Sequence, residues 1–166
     1  MEMNRLLNIS GLDVSFPSHF GSTYAVKDVS IELNPGEVLG IVGESGAGKS
    51  TIGNAVINLL EPPGEITNGD IVFRGQSINR LDEREMRSIR GKKIGMIFQD
   101  PQTSLNPLMT IGSQLTETII TTTDLVGKPA RKKAIDLLEA VGIAVSYTHL
   151  RAHETLRYLV CRLLLE

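Results

Sequence analysis

The sequence predicts an α/β domain. Three observations carry the prediction: two short, partly alternating apolar runs near the N-terminus, a glycine-bounded apolar run that enters a glycine-rich loop, and helical apolar spacing directly after that loop. A chain of 166 residues, 41% hydrophobic and 22% charged, has the apolar content for one domain with a core of its own.

Residues 6–16 and 25–33 read as strands joined by the Pro- and Gly-containing loop 17–21, which opens a β-rich subdomain. Asn34, Pro35 and Gly36 form a turn. Residues 37–42 (EVLGIV) then read as a short buried strand, because a strand covered on both faces is apolar throughout rather than alternating. From Lys49 onward, Ile52, Ala55, Val56, Leu59 and Leu60 recur at helical spacing until Pro62, Pro63 and Gly64 stop the run. Residues 70–74 suggest a further strand, and residues 82–90 a short charged helix with Asp82 placed to cap it. Residues 93–99 read as a strand entering a polar loop, 100–107, in which two prolines block regular structure. Residues 111–121 and 129–141 both have helical spacing, the second with Pro129 at its start and Gly142 just past its end.

Composition narrows the function classes. Lys plus Arg is 17 against 19 Asp plus Glu, a net charge of -2, so no basic surface points to nucleic acid as a partner. The single Cys161 cannot close an internal disulfide, no Cys/His group has zinc spacing, and a reducing cytosol is the natural reading. No basic leader precedes an apolar stretch at the N-terminus, and no uncharged apolar run approaches the roughly 18 residues that cross a bilayer, so a chain neither secreted nor membrane-spanning is expected.

Chemistry concentrates at Gly43-Glu44-Ser45-Gly46-Ala47-Gly48-Lys49-Ser50, which matches G-x-x-x-x-G-K-[ST] at every fixed position between a predicted strand and a predicted helix. Phosphate oxygens are held by backbone N–H groups, which side chains must not obstruct. Gly43, Gly46 and Gly48 give that access. The helix that begins near Lys49 aims its dipole and unpaired N–H groups at bound anions, Lys49 adds a full charge, and the Ser50 hydroxyl is placed to ligate Mg²⁺. A glycine turn that binds nothing is the structural alternative. It would leave Lys49 as a solvated lysine beside a dipole end of its own sign, which electrostatics disfavours.

A phosphate loop alone serves many enzyme classes. Here a second stretch is more specific. Met96-Ile97-Phe98-Gln99-Asp100-Pro101, continuing through Thr103-Ser104-Leu105-Asn106-Pro107 to Met109-Thr110-Ile111-Gly112, closely resembles the Q-loop of ATP-binding subunits of ABC importers of the oligopeptide, dipeptide and nickel group. Ala25-Val26-Lys27-Asp28-Val29-Ser30, Gly40-Ile41-Val42-Gly43-Glu44-Ser45 and the stretch from Pro62-Pro63-Gly64 to Gly69-Asp70-Ile71 agree, so the resemblance covers residues 1–144. It implies a P-loop core with an N-terminal antiparallel β-subdomain and the start of a helical subdomain. It also implies ATP and Mg²⁺ as cofactors, bound by residues 43–50 with Thr51. By the resemblance Gln99 would touch Mg²⁺ and the attacking water, and the loop behind it would meet a coupling helix of the permease subunits. A second ATPase subunit would be a partner, a solute-binding protein an indirect one, and the inner face of the cell membrane the location. Phe16 occupies the place of the aromatic that stacks on adenine, with core packing open as its alternative; Phe20 and Tyr24 are poorer candidates, and His19 reads as a solvated loop residue.

The chain also departs from that family. It contains no serine- and glycine-rich signature motif, no Walker B strand with its Asp, no following Glu to act as general base and no switch His. A partial composite site that binds nucleotide weakly and turns it over little or not at all is therefore expected of the 166 residues themselves, with a soluble ABC ATPase as a further alternative. Composition shifts after Ala144: residues 145–166 hold two of the three His, two of the three Tyr and the only Cys. Residues 145–155 resemble the translation of a transposase adapter used in sequencing libraries, and residues 159–166 the flow-cell end of the same DNA, with Leu156 and Arg157 where a barcode would be read. A natural amphipathic helix is the alternative. On the adapter reading, the i,i+4 pair His149 and His153 is no metal site.

Overall fold

The computed structural model describes residues 5–18, 21–99 and 105–143. The chain divides into two compact units at Ile94 and Gly95, each with its own apolar core. The adapter-like segment 145–166, His19, Phe20 and residues 100–104 lie outside the described residues.

The first unit is built on an antiparallel sheet of order β2-β1-β3-β4, formed by β1 (Leu7–Ser18), β2 (Gly21–Leu33), β3 (Glu65–Phe73) and β4 (Gln76–Ser77). β1 is central, pairing with β2 from Leu7↔Leu33 to Ser18↔Gly21 and with β3 from Leu7↔Phe73 to Ser15↔Glu65. Two strands were expected in 6–16 and 25–33; the ladder between them continues to the Ser18↔Gly21 pair, which carries β1 to Ser18 and starts β2 at Gly21. The expected strand at 70–74 is the C-terminal half of β3, and β4, added by the two-residue Arg74-Gly75 turn, is too short to show a period in the sequence. Ile9, Leu12, Val14, Ile71, Phe73 and Ile78 share one core with Ile52 and Ala55 of α1 (Lys49–Val56) and Met86 and Ile89 of α2 (Glu83–Ile89). α2 starts where the sequence places it. The Asp82 carboxylate accepts from the Glu85 N–H at 2.7 Å while the Glu85 carboxylate accepts from the Asp82 N–H at 3.1 Å, a reciprocal capping box.

Two expected strands are not formed. Residues 37–42 carry no strand pairing, and Val38 and Val42 are 96% and 97% exposed. Residues 93–99 form only an isolated parallel bridge between Arg90 and Ile94, with Ile97 94% exposed. A parallel strand takes its hydrogen bonds and its cover from neighbours on both sides, and among the described residues no strand supplies either. Apolar content alone does not make a strand. α1 also ends four residues before the expected Leu60, in a turn where the Leu59 N–H bonds Asn54 O at 2.8 Å, the Asn58 N–H bonds Ala55 O at 3.0 Å, and Asn58 has φ 51°.

The second unit is a helical hairpin, α3 (Ile111–Thr122) and α4 (Lys128–Ala140), within about a residue of the two expected helices. Ile111 early in α3 packs with Leu138 late in α4, and Ile119 with Ala130 and Ala134, which makes the pair antiparallel. Small residues one turn apart on α4 let the helices approach closely. Thr110 caps α3 through its hydroxyl, which accepts from the Ser113 N–H, and Gly142 follows α4 with φ 75°.

Candidate functional site

The glycine loop and the start of α1 form one local structure. Gly46 and Gly48 have φ 83° and 82°, so the chain turns twice through the left-handed region, which side chains disfavour. A Cβ at Gly48 would also overlap the Ala25 carbonyl oxygen of β2 and lie 3.2 Å from Val26 Cγ2, so this glycine is needed for the close approach of α1 to the sheet. Gly48 is the N-cap of α1 and offers no side-chain cap, no acidic residue occupies the first turn, and the N–H groups of Lys49, Ser50 and Thr51 precede the first intrahelical acceptor. The Lys49 side chain folds back over the loop. Its ammonium donates to Gly43 O at 2.9 Å and Glu44 O at 2.6 Å, which leaves one of its three protons for a ligand oxygen. Ala47 N–H closes the loop onto Glu44 O at 3.2 Å, and the side chains of Glu44, Ser45 and Ser50 are exposed. Uncapped N–H groups, a left-handed turn on each side of Ala47 and a lysine held at the loop mouth together make a cradle for a polyanion.

The other end of α1 is held from α2. Arg90 Nε donates to Ile57 O at 2.6 Å and Nη2 to Asn58 O at 2.7 Å, the carbonyls that follow the helix. Its Nη1 donates to both Glu83 carboxylate oxygens, at 2.8 and 3.0 Å. Hydrogen bonds from Arg90 and then Arg87 hold the Glu83 carboxyl below its ordinary pKa of 4.5.

Two further site candidates lie on other segments of the chain. Phe16, on β1 opposite Thr23, is half-buried on the sheet core, and its ring edge leaves no room for a side chain at Gly64. Gln99 is exposed at a bend in the second unit, and of the loop that follows it only residues 105–107 are described. Among the described residues no group of His, Cys, Asp and Glu could hold a metal ion and no helix is long and apolar enough to cross a membrane.

The family described as ABC transporter matches residues 26–158, a span that includes the glycine loop and α1. The chain belongs to the ABC transporter family. Among its relatives, the oligopeptide transport ATP-binding protein OppD of Bacillus subtilis is 45% identical over 144 residues, which are 86% of this chain and 40% of that protein. The dipeptide transport ATP-binding protein DppD of Escherichia coli is 43% identical over 138 residues, 83% of this chain and 42% of that protein. A dimeric ATP-binding cassette solved in a post-hydrolysis state with ADP and Pi superimposes with a TM-score of 0.76 at 27% identity, covering 87% of this chain and 61% of the other. The fold is thus that of a P-loop ABC cassette, in part. This ABC transporter chain spans about two fifths of the length of the relatives it matches. The family match extends into the segment that composition sets apart after Ala144.

In this ABC transporter chain a second concavity, of about 530 Å³, lies between α3 and α4, with Thr110, Ser113, Thr116, Glu117 and Arg131 in its lining. None of the expected nucleotide-site residues belongs to it. What sequence reading missed at the loop is its backing: the Ala25 carbonyl behind Gly48, and Arg90. Neither leaves a signal in the sequence, since a backbone carbonyl has none and Arg90 sits among Arg84, Arg87, Lys92 and Lys93 with nothing to single it out.

Proposed function

We propose that this chain holds MgATP at residues 43–51 and is the N-terminal part of an ATP-hydrolysing subunit that energises import of peptides. The observation that carries the reading is the uncapped start of α1, framed by left-handed Gly46 and Gly48 and closed by the Lys49 ammonium. Backbone N–H groups of the loop donate to phosphate oxygens, Lys49 neutralises charge between them, and the exposed Ser50 hydroxyl is free to ligate the metal together with Gln99. Mg²⁺ held by Ser50 and Gln99 would offset the charge that develops in phosphoryl transfer. Phe16 contributes an aromatic face for adenine. The loop behind Gln99 meets permease subunits, a second ATPase subunit completes the composite site, a solute-binding protein acts at one remove, and the assembly sits at the inner face of the membrane. The names of the relatives speak of oligopeptides and dipeptides, which favours a peptide over nickel as solute. The 166 residues alone bind nucleotide and turn over little, since they include no signature motif and no general base. Residues 145–166 derive from adapter DNA on this reading, which resequencing across the codons for Ala144 and Val145 without transposase adapters decides.

Equilibrium binding of a fluorescent ATP analogue, with and without Mg²⁺, tests the site. Losing a charged partner of phosphate costs about 1.5–3 kcal/mol, so Lys49→Ala is expected to weaken binding about 10- to 150-fold. Equal binding by both proteins sinks the assignment.

A further inference from the structure

α1 is eight residues long, about 12 Å. Its first turn presents the N–H groups, Lys49 and Ser50, and it is held by buried Ile52 and Ala55, by partly buried Val56 and by the close approach of Gly48 to β2. So short a helix has little length over which packing can fix its axis. A tilt of about 5° about its far end carries the first turn through about 1 Å, enough to spoil hydrogen bonds whose useful range spans about 0.5 Å.

Arg90 is placed to prevent that tilt. Three of its nitrogens are committed: Nε and Nη2 to the carbonyls of Ile57 and Asn58, and Nη1 to Glu83. Its side chain is only 17% exposed. The residue is itself anchored, because it is the C-cap of α2, with its N–H on Met86 O at 2.9 Å, and Met86 and Ile89 are buried in the core that α1 shares. The guanidinium also puts positive charge at the negative end of the α1 dipole and meets carbonyls that the helix leaves without intrahelical donors. A planar fork suits two successive carbonyls and a carboxylate at once; a lysine ammonium reaches one or two of them.

We propose that Arg90 is a positioning residue for the phosphate loop, fixing the direction of α1 from its C-terminal end so that the first-turn N–H groups and Lys49 meet the phosphates. This rests on the nucleotide reading of residues 43–51. The test uses the full chain, Arg90→Met, Arg90→Lys, Glu83→Gln, and Ile78→Val as a core variant that is part of neither the loop nor α1. Binding of the fluorescent ATP analogue with Mg²⁺ is expected to weaken about tenfold in Arg90→Met, less in Arg90→Lys, two- to threefold in Glu83→Gln, and not at all in Ile78→Val. In parallel, amide exchange of residues 52–56, measured without nucleotide, is expected to quicken at least tenfold in Arg90→Met and to stay within twofold in Ile78→Val. Binding by Arg90→Met within twofold of the parent overturns the proposal, as does an equal loss in Ile78→Val, which would make the effect one of general stability. Should Arg90→Met not fold, Glu83→Gln decides, and unchanged affinity there is equally fatal. Absence of binding by the parent chain refutes the nucleotide reading instead, and unchanged amide exchange in the Arg90 variants refutes the tether alone.

Discussion

Substituting alanine separately at Gly46 and Gly48 splits two reasons for a glycine. Both residues have φ above 80°, but a Cβ at Gly46 meets nothing within 4 Å, whereas at Gly48 it overlaps the Ala25 carbonyl oxygen. A left-handed conformation costs an alanine about 1–2 kcal/mol, and the stiffer unfolded chain returns about 0.4–1 kcal/mol of that. Gly46→Ala should therefore lower the unfolding free energy by about 1 kcal/mol. Gly48→Ala has the same conformational cost and must also part α1 from β2 by about 1 Å, because a carbon approaches a carbonyl oxygen only to about 3.3 Å. Overpacking of that kind adds about 1–3 kcal/mol, for a total of about 2–4 kcal/mol. Urea unfolding followed by far-UV circular dichroism reads both variants. Values for the two that agree within about 0.5 kcal/mol would show that α1 does not press on β2 at Ala25, and would remove the structural basis for this reading of Gly48.

The capping box at α2 predicts that Asp82→Ala costs about 1 kcal/mol in the same assay, and no loss would mean that the box does not form in solution. The Glu83 carboxyl has a depressed folded-state pKa, so its contribution is present above its unfolded value near 4.5 and is lost as pH falls through the lower folded value. The urea midpoints of the parent and Glu83→Gln should accordingly differ at neutral pH and converge below that window; a gap that widens in acid has the wrong sign. Val42 is 97% exposed, so Val42→Lys should change stability by less than about 0.5 kcal/mol while raising solubility. A loss above about 1.5 kcal/mol would place Val42 in a core. In the second unit Ala134 is 2% exposed against α3, and Ala134→Leu should destabilise the hairpin by about 1–3 kcal/mol, read by the loss of helical signal on heating.

The sequence by itself determined the parts whose causes are local. Glycines at 43, 46 and 48 followed by Lys49 and Ser50 specify a loop and a helix start within eight residues, and Asp82 with Glu85 specifies the start of α2. Alternating apolar residues marked β1 and β2, and Pro129 with Gly142 bracketed α4, because each signal acts within a turn or a strand repeat. Tertiary structure decided what depends on distant partners. Residues 37–42 and 93–99 have the apolar content of buried strands, yet a parallel strand exists only between neighbours, and none of the described residues pairs with them beyond the Arg90–Ile94 bridge. The ladder register and the register shifts along β1 exist only in its pairing with β2 and β3. Arg90 grips carbonyls 32 and 33 residues away, and Ala25 O of β2 closes on Gly48 at the start of α1. A guanidinium or a carbonyl acquires such a role only when folding brings a particular backbone within hydrogen-bond or van der Waals reach, and sequence spacing carries no record of that approach.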